Sequence, residues 1–141
     1  AVGGMTDAPA TATAEDRIRE YYETLRDGEP LYPFFAEDQT VVKFGITEKL
    51  TGYEEVAAGL REQTATTEDW TVDSRDLRVV ERCDHAWFSD DVGMAWYDAA
   101  ADREYAFDSR WSGTLERRER DENQASAEWL FVGMHVSAVP E

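Results

Sequence analysis

Few residues in this chain combine reactive chemistry with a suggestive setting. His135, in Gly133-Met134-His135-Val136-Ser137, is a candidate general base, because an imidazole titrates near neutrality and Asp108 could orient it. Tyr21, Tyr97 and Asp98 are further acid/base candidates. His85 follows Asp84 near a strand start, where exposure is the expectation. Asp90-Asp91 could suggest a cation site, but no Asx-Gly loop with calcium spacing accompanies it, so no metal is expected. Cys83 stands alone, which leaves neither an internal disulfide nor a metal cluster and suggests a buried or strand-end thiol. No strand is followed by a Gly-rich phosphate loop, so no cofactor is expected.

Positioning these groups requires a scaffold, and hydrophobic periodicity supplies one. Ile18, Tyr21, Tyr22 and Leu25 recur at helical spacing, so Glu15 to Asp27 reads as a helix, capped by Thr13 and closed by Gly28. Glu29 to Ala36 suggests a brief second helix, Gln39 to Phe44 a strand, and Tyr53 to Thr64 a further helix. From Trp70 onward the period is two: 71–82, 85–99, 103–118 and 126–139 read as long antiparallel strands, with a bulge or bend at 89–91 and turns at 100–102 and 121–124. Helices first and a meander later predict an α+β fold, a curved antiparallel sheet wrapped on the N-terminal helices. Such a cone tends to keep a cavity at its open end. A single domain over 15–141 is expected, after a disordered segment 1–14 of small polar residues.

Alternation assigns the sheet faces. Trp111 and Leu115 should join Val132, Met134 and Val136 on the side that meets the helices, while Asp108, Arg110 and Thr114 join Phe131, His135 and Ser137 on the other. The expected cavity lining is therefore Tyr21, Tyr22, Phe35, Phe44, Trp111, Met134 and Val136. Trp87, Phe88, Trp96, Tyr97, Tyr105, Phe107 and Trp111 crowd two strands, an arrangement that cross-strand packing alone can explain.

The order of elements, with FFAEDQTVVKFG, LTGYEEVAAGL, HAWFSDD and WLFVGMHVS, resembles the SnoaL-like branch of the nuclear-transport-factor-two-like (cystatin-like cone) superfamily over about residues 15–139. Trp129, Val132, His135 and Ser137 are the most specific part of the match, and the last strand is also similar to that of the calcium/calmodulin-dependent kinase association domain. The resemblance implies a cone-shaped α+β barrel, commonly a homodimer packed through the sheet. Asp108, Arg110, Thr114, Phe131 and His135 would then form the dimer face, with His135 bonded near Arg110 across the subunit contact. It does not imply one activity, since the superfamily holds isomerases, dehydratases, polyketide cyclases, ligand binders and assembly modules. Among its ketosteroid isomerases, the helix-one tyrosine that donates to an oxyanion matches Tyr21, but their catalytic aspartate aligns with Lys43. A lysine cannot take that proton as a carboxylate does, so isomerisation by that mechanism is not expected.

Composition narrows the partners. The chain has 141 residues with 31 acidic and 14 basic side chains, a net charge of −17, and of its basic residues only Lys43 and Lys49 are lysine. Such a surface cannot replace the counterions of a nucleic acid, nor be drawn to an anionic membrane. Scarce lysine and abundant carboxylate suit the cytoplasm of an extreme halophile, where molar salt screens self-repulsion to about 3 Å. Three functions are compatible: a homodimer whose apolar cavity binds a small organic molecule; an acid/base enzyme of the cyclase, dehydratase or isomerase kind; and a dimerisation module without a ligand. Two or more ionisable groups converging in a wide cavity favour the enzyme, aromatic walls with one polar group the binder, and a filled cavity the module. The charge pattern predicts a melting temperature that rises from low to molar KCl in thermal denaturation; an unchanged value removes the salt-adapted reading.

Overall fold

A computed structural model describes residues 12–119 and 127–140. Helix α1 spans Ala14–Asp27. The Asp16 amide donates to Thr13 Oγ1 at 3.0 Å, and the Thr13 amide donates to Asp16 Oδ2 at 3.1 Å. This reciprocal cap satisfies amides that a helix start leaves open. Gly28 ends the helix at φ 71°, a left-handed conformation that costs glycine nothing. Ala14 is already fully buried, so the ordered chain starts before residue 15. The rest of the expected disordered segment, residues 1–11, lies outside the described residues.

A 3-10 turn, Tyr32–Phe34, replaces the brief second helix. Then follow β1 (Val42–Phe44), β2 (Lys49–Thr51), α2 (Tyr53–Thr66), β3 (Thr67–Ser74), β4 (Arg78–Glu81), β5 (His85–Asp98), β6 (Arg103–Arg118) and β7 (Glu128–Ala138). The strands form one curved, unclosed sheet of order β2-β1-β7-β6-β5-β3, with β4 also on β5. Its inner face packs on the helices, giving the mixed α+β architecture.

Four details depart from the periodicity. β2 was hidden because three residues are too few to show alternation. The sheet is not wholly antiparallel, since β1 runs parallel to β7. The expected strand over 71–82 is two strands that share β5 end to end. Where they separate, the buried Asp90 carboxylate accepts from Ser74 Oγ at 2.6 Å, from the Asp76 amide at 2.9 Å and from the Tyr22 hydroxyl at 2.9 Å. That carboxylate satisfies the backbone and side-chain donors which the break would otherwise leave unpaired. Finally, β5 and β6 stay in register from His85 to Asp98, without the bulge at 89–91. The bulge lies in β7 instead: Thr114 pairs with Gly133 but Leu115 with Phe131, so Val132 is the extra residue. The turn expected at 121–124 is outside the described residues.

That bulge corrects one face assignment. On its C-terminal side alternation holds: Met134 and Val136 are buried beside Gly113 and Trp111. On its N-terminal side the parity inverts and Phe131 points inward, with no exposed surface, against Tyr21 at 5.2 Å and Phe35 at 5.4 Å between ring centroids. Phe131 therefore does not belong to the outer face. Next to the bulge the strands approach closely: a Cβ on Gly113 would lie 2.5 Å from the Gly133 carbonyl oxygen and 2.8 Å from the Phe88 ring. Gly113→Ala should therefore cost about 1–3 kcal/mol in urea unfolding, the cost of overpacking a tight core; an unshifted midpoint contradicts the close approach.

Candidate functional site

A pocket of about 370 Å³ opens between α1, α2, the β1–β2 hairpin and the inner face of β5–β7. Its volume falls within the range of small-molecule sites. Tyr21 from α1 and Trp111 from β6 belong to the lining, with ring centroids 6.2 Å apart at 71°. Tyr22 turns the other way from α1, packing on Trp111 at 5.4 Å and donating to Asp90.

The β1–β2 hairpin carries the charged part. Lys43 pairs with Met134 and Leu50, which puts its side chain on the inner face. It is 6% exposed, and its Nζ donates to Glu48 Oε1 at 2.9 Å. Gly45 makes room for this contact, because a Cβ there would meet Glu48 Cγ at 2.7 Å and Oε1 at 2.8 Å. Tyr21 is almost wholly buried, and its hydroxyl has no hydrogen-bond partner among the described residues. Burial, and then the nearby Glu48 carboxylate, push this hydroxyl well above the usual tyrosine range. The direction of this shift favours the neutral phenol, a hydrogen-bond donor on a residue that lines the pocket.

The aromatic wall is set by another irregularity. Between Glu68 and Thr71 the β3–β5 register shifts, with Asp69 at φ 59°. Trp70 is thereby laid on Trp96, 4.5 Å between centroids and 16° between planes. The indole Nε1 donates to Thr67 Oγ1 at 2.8 Å, which fixes the ring. Both indoles line the pocket, with Leu50, Met94 and Val136 adding apolar surface.

Of the residues expected to line the cavity, Tyr21, Trp111 and Val136 do so. Tyr22, Phe35 and Met134 are buried in the core beside it. Phe44 is on the outer face, 37% exposed, its ring 5.5 Å from that of His135. The reason is parity: Lys43 and Phe44 are adjacent in a strand, so only one can face inward.

The candidate acid/base groups do not come together. Tyr97 and Asp98 are at the β5–β6 turn, where the Tyr97 hydroxyl donates to Asp102, and Asp98 accepts the amides of Ala100 at 3.0 Å and Ala101 at 3.1 Å. His135 is exposed on the outer face, opposite Ser112. Asp108 lies four residues along β6 from Ser112, roughly 13 Å at ~3.3 Å per residue, and binds Arg75 at 2.9 Å instead. It cannot orient the imidazole. Arg110 and Thr114 share that outer face and are exposed. His85 is exposed and bonds Asp84 at 2.8 Å, and Cys83 is an exposed thiol in the turn before β5. Glu48 is not among the residues singled out from the sequence; its parity with Leu50, two residues on, puts it on the Lys43 side.

Comparison with known proteins agrees with this architecture. The SnoaL-like domain family matches residues 14–140. No curated protein matches the sequence. A proposed dehydratase of the nuclear-transport-factor-two-like family from Streptomyces avermitilis is similar in structure, with a TM-score of 0.75, 16% identity, and 92% of this chain and 95% of that one covered. A ketosteroid isomerase-like protein from Erwinia carotovora atroseptica superposes with a TM-score of 0.71 at 14% identity, over 96% of this chain and 100% of that one. A proposed calcium/calmodulin-dependent protein kinase type II association domain from Thiobacillus denitrificans gives 0.70 at 18% identity, over 94% and 100%. At these identities the likeness concerns the fold alone. Among the described residues no helix is long and apolar enough to cross a membrane.

Proposed function

The chain belongs to the SnoaL-like domain family, and on that premise we propose that it is an acid/base enzyme acting on a small planar organic molecule that carries a carbonyl or enol oxygen. One observation carries this reading: the buried, unpartnered Tyr21 hydroxyl shares its pocket with the Lys43–Glu48 pair. Two ionisable groups and a neutral donor converge in an open cavity, which favours proton transfer over passive binding. Glu48 is the base, Tyr21 donates to the oxygen on which charge develops, and Lys43 holds the carboxylate in place. Trp70, Trp96 and Trp111 supply flat apolar surface for the ligand. The cyclase, dehydratase and isomerase classes all use such a proton transfer next to a carbonyl.

The test uses 2-tetralone as a probe ketone. Tryptophan fluorescence should show saturable binding, weakened about tenfold by Tyr21→Phe, the loss of one buried hydrogen bond. Deuterium exchange next to the carbonyl, followed by NMR, should be accelerated by the protein and not by Glu48→Gln. Absence of saturable binding overturns the pocket assignment, and acceleration that survives Glu48→Gln overturns the role of that carboxylate.

A second reading concerns association and has its own support. The three exposed large hydrophobic residues among the described residues, Phe44, Trp87 and Val139, extend the outward side of the sheet, where Phe44 meets His135 and Trp87 pairs with Thr114. We propose that this face, with Asp108, Arg110 and His135, joins two copies in a homodimer. Light scattering in molar KCl should give twice the chain mass, and Trp87→Glu should shift it toward the monomer; a monomeric parent protein contradicts the proposal.

A further inference from the structure

Lys43 holds more chemistry than an ion pair needs. Arginine makes the better ion pair, through two parallel hydrogen bonds, and this chain uses arginine for 12 of its 14 basic residues. Lys49 is exposed, whereas Lys43 is almost wholly buried and lines the aromatic pocket. An amine, unlike a guanidinium, can give up a proton and attack carbon. The acceptor for that proton is in place, since Glu48 Oε1 is 2.9 Å from Nζ and Gly45 keeps room for it. A donor for the carbonyl oxygen is also present in the unpartnered Tyr21 hydroxyl.

We propose that Lys43 captures aldehydes and ketones in this pocket as a covalent imine; this rests on the pocket reading above and adds a nucleophile to it. The ammonium passes one proton to Glu48. The freed lone pair forms the C–N bond while the carbonyl π pair moves onto oxygen, which accepts a hydrogen bond from Tyr21. An N–H proton then transfers to that oxygen, giving a neutral carbinolamine. Glu48 returns its proton to the hydroxyl, the C–O bond breaks, water leaves, and the nitrogen lone pair completes a protonated C=N bond. No oxidant or reductant is consumed, and the carboxylate is restored.

The experiment treats the whole protein with 2-naphthaldehyde and cyanoborohydride, which reduces an imine to a stable secondary amine, and maps the adduct by peptide mass spectrometry. Lys43 is expected to carry one naphthylmethyl group at least tenfold more often than Lys49 or the terminal amine. Glu48→Gln should slow labelling, and Lys43→Arg should abolish it at this position. Fluorescence binding of 2-naphthol, which has no carbonyl, separates the two claims. If 2-naphthol binds in the pocket but Lys43 is labelled no more than Lys49, the imine is overturned and the pocket stands. If neither compound binds, both fall. Because the adduct is mapped on the parent protein, the result does not depend on any variant folding.

Discussion

The grip of Tyr21 and Tyr22 on Trp111 decides where everything else can go. Two adjacent residues of α1 straddle one indole of β6, each in edge-to-face contact, so the helix can neither slide nor roll over the sheet. One tyrosine is committed to the core, where its hydroxyl satisfies the buried Asp90. The other packs in the core against Phe34, Phe35 and Phe131 and also lines the pocket. Neighbouring aromatic side chains thus differ, one hydrogen-bonded to a buried carboxylate and one beside the pocket.

Strand parity then distributes the charges. In β1 it turns Lys43 in and Phe44 out, and in β5 it buries Asp90 while leaving Asp91 outside. A buried lysine and a buried aspartate are each costly without partners. Both are partnered, and the two solutions differ. Asp90 accepts three hydrogen bonds from groups held by the fold. Lys43 has a single carboxylate partner on a short hairpin loop, itself partly exposed, and an ammonium can donate three hydrogen bonds. The two buried charges thus differ in how many fold-held partners each has, three for Asp90 and one for Lys43.

Much of the architecture was legible in the residues because its long elements are strongly periodic. Helix α1 and strands β5 and β6 fall where the pattern puts them, and Trp111 with Val136 on the inner face follows from alternation alone. What escaped was short or irregular. A three-residue strand shows no period, and a single extra residue at Val132 reverses Phe131 without a change in composition. The site was legible in part. Tyr21 could be picked out, whereas Lys43 counted only against an isomerase mechanism, and its partnership with Glu48 depends on a hairpin whose second strand shows no period. His135 and Asp108 share the outward face, as alternation predicts, yet common facing says nothing about distance along the strands.

The parallel pairing of β1 with β7 has a kinetic side. Strands β5, β6 and β7 zip up through neighbouring segments, and the β1–β2 hairpin closes locally around Gly45 to Glu48. Joining the two assemblies links segments from opposite ends of the chain, and such distant closure is the slowest kind of contact to form. The amine and its carboxylate need no such closure, since both belong to one small hairpin. Their aromatic walls, Trp70, Trp96 and Trp111, come from strands far along the chain, so the pair is a local contact and its enclosure a long-range one.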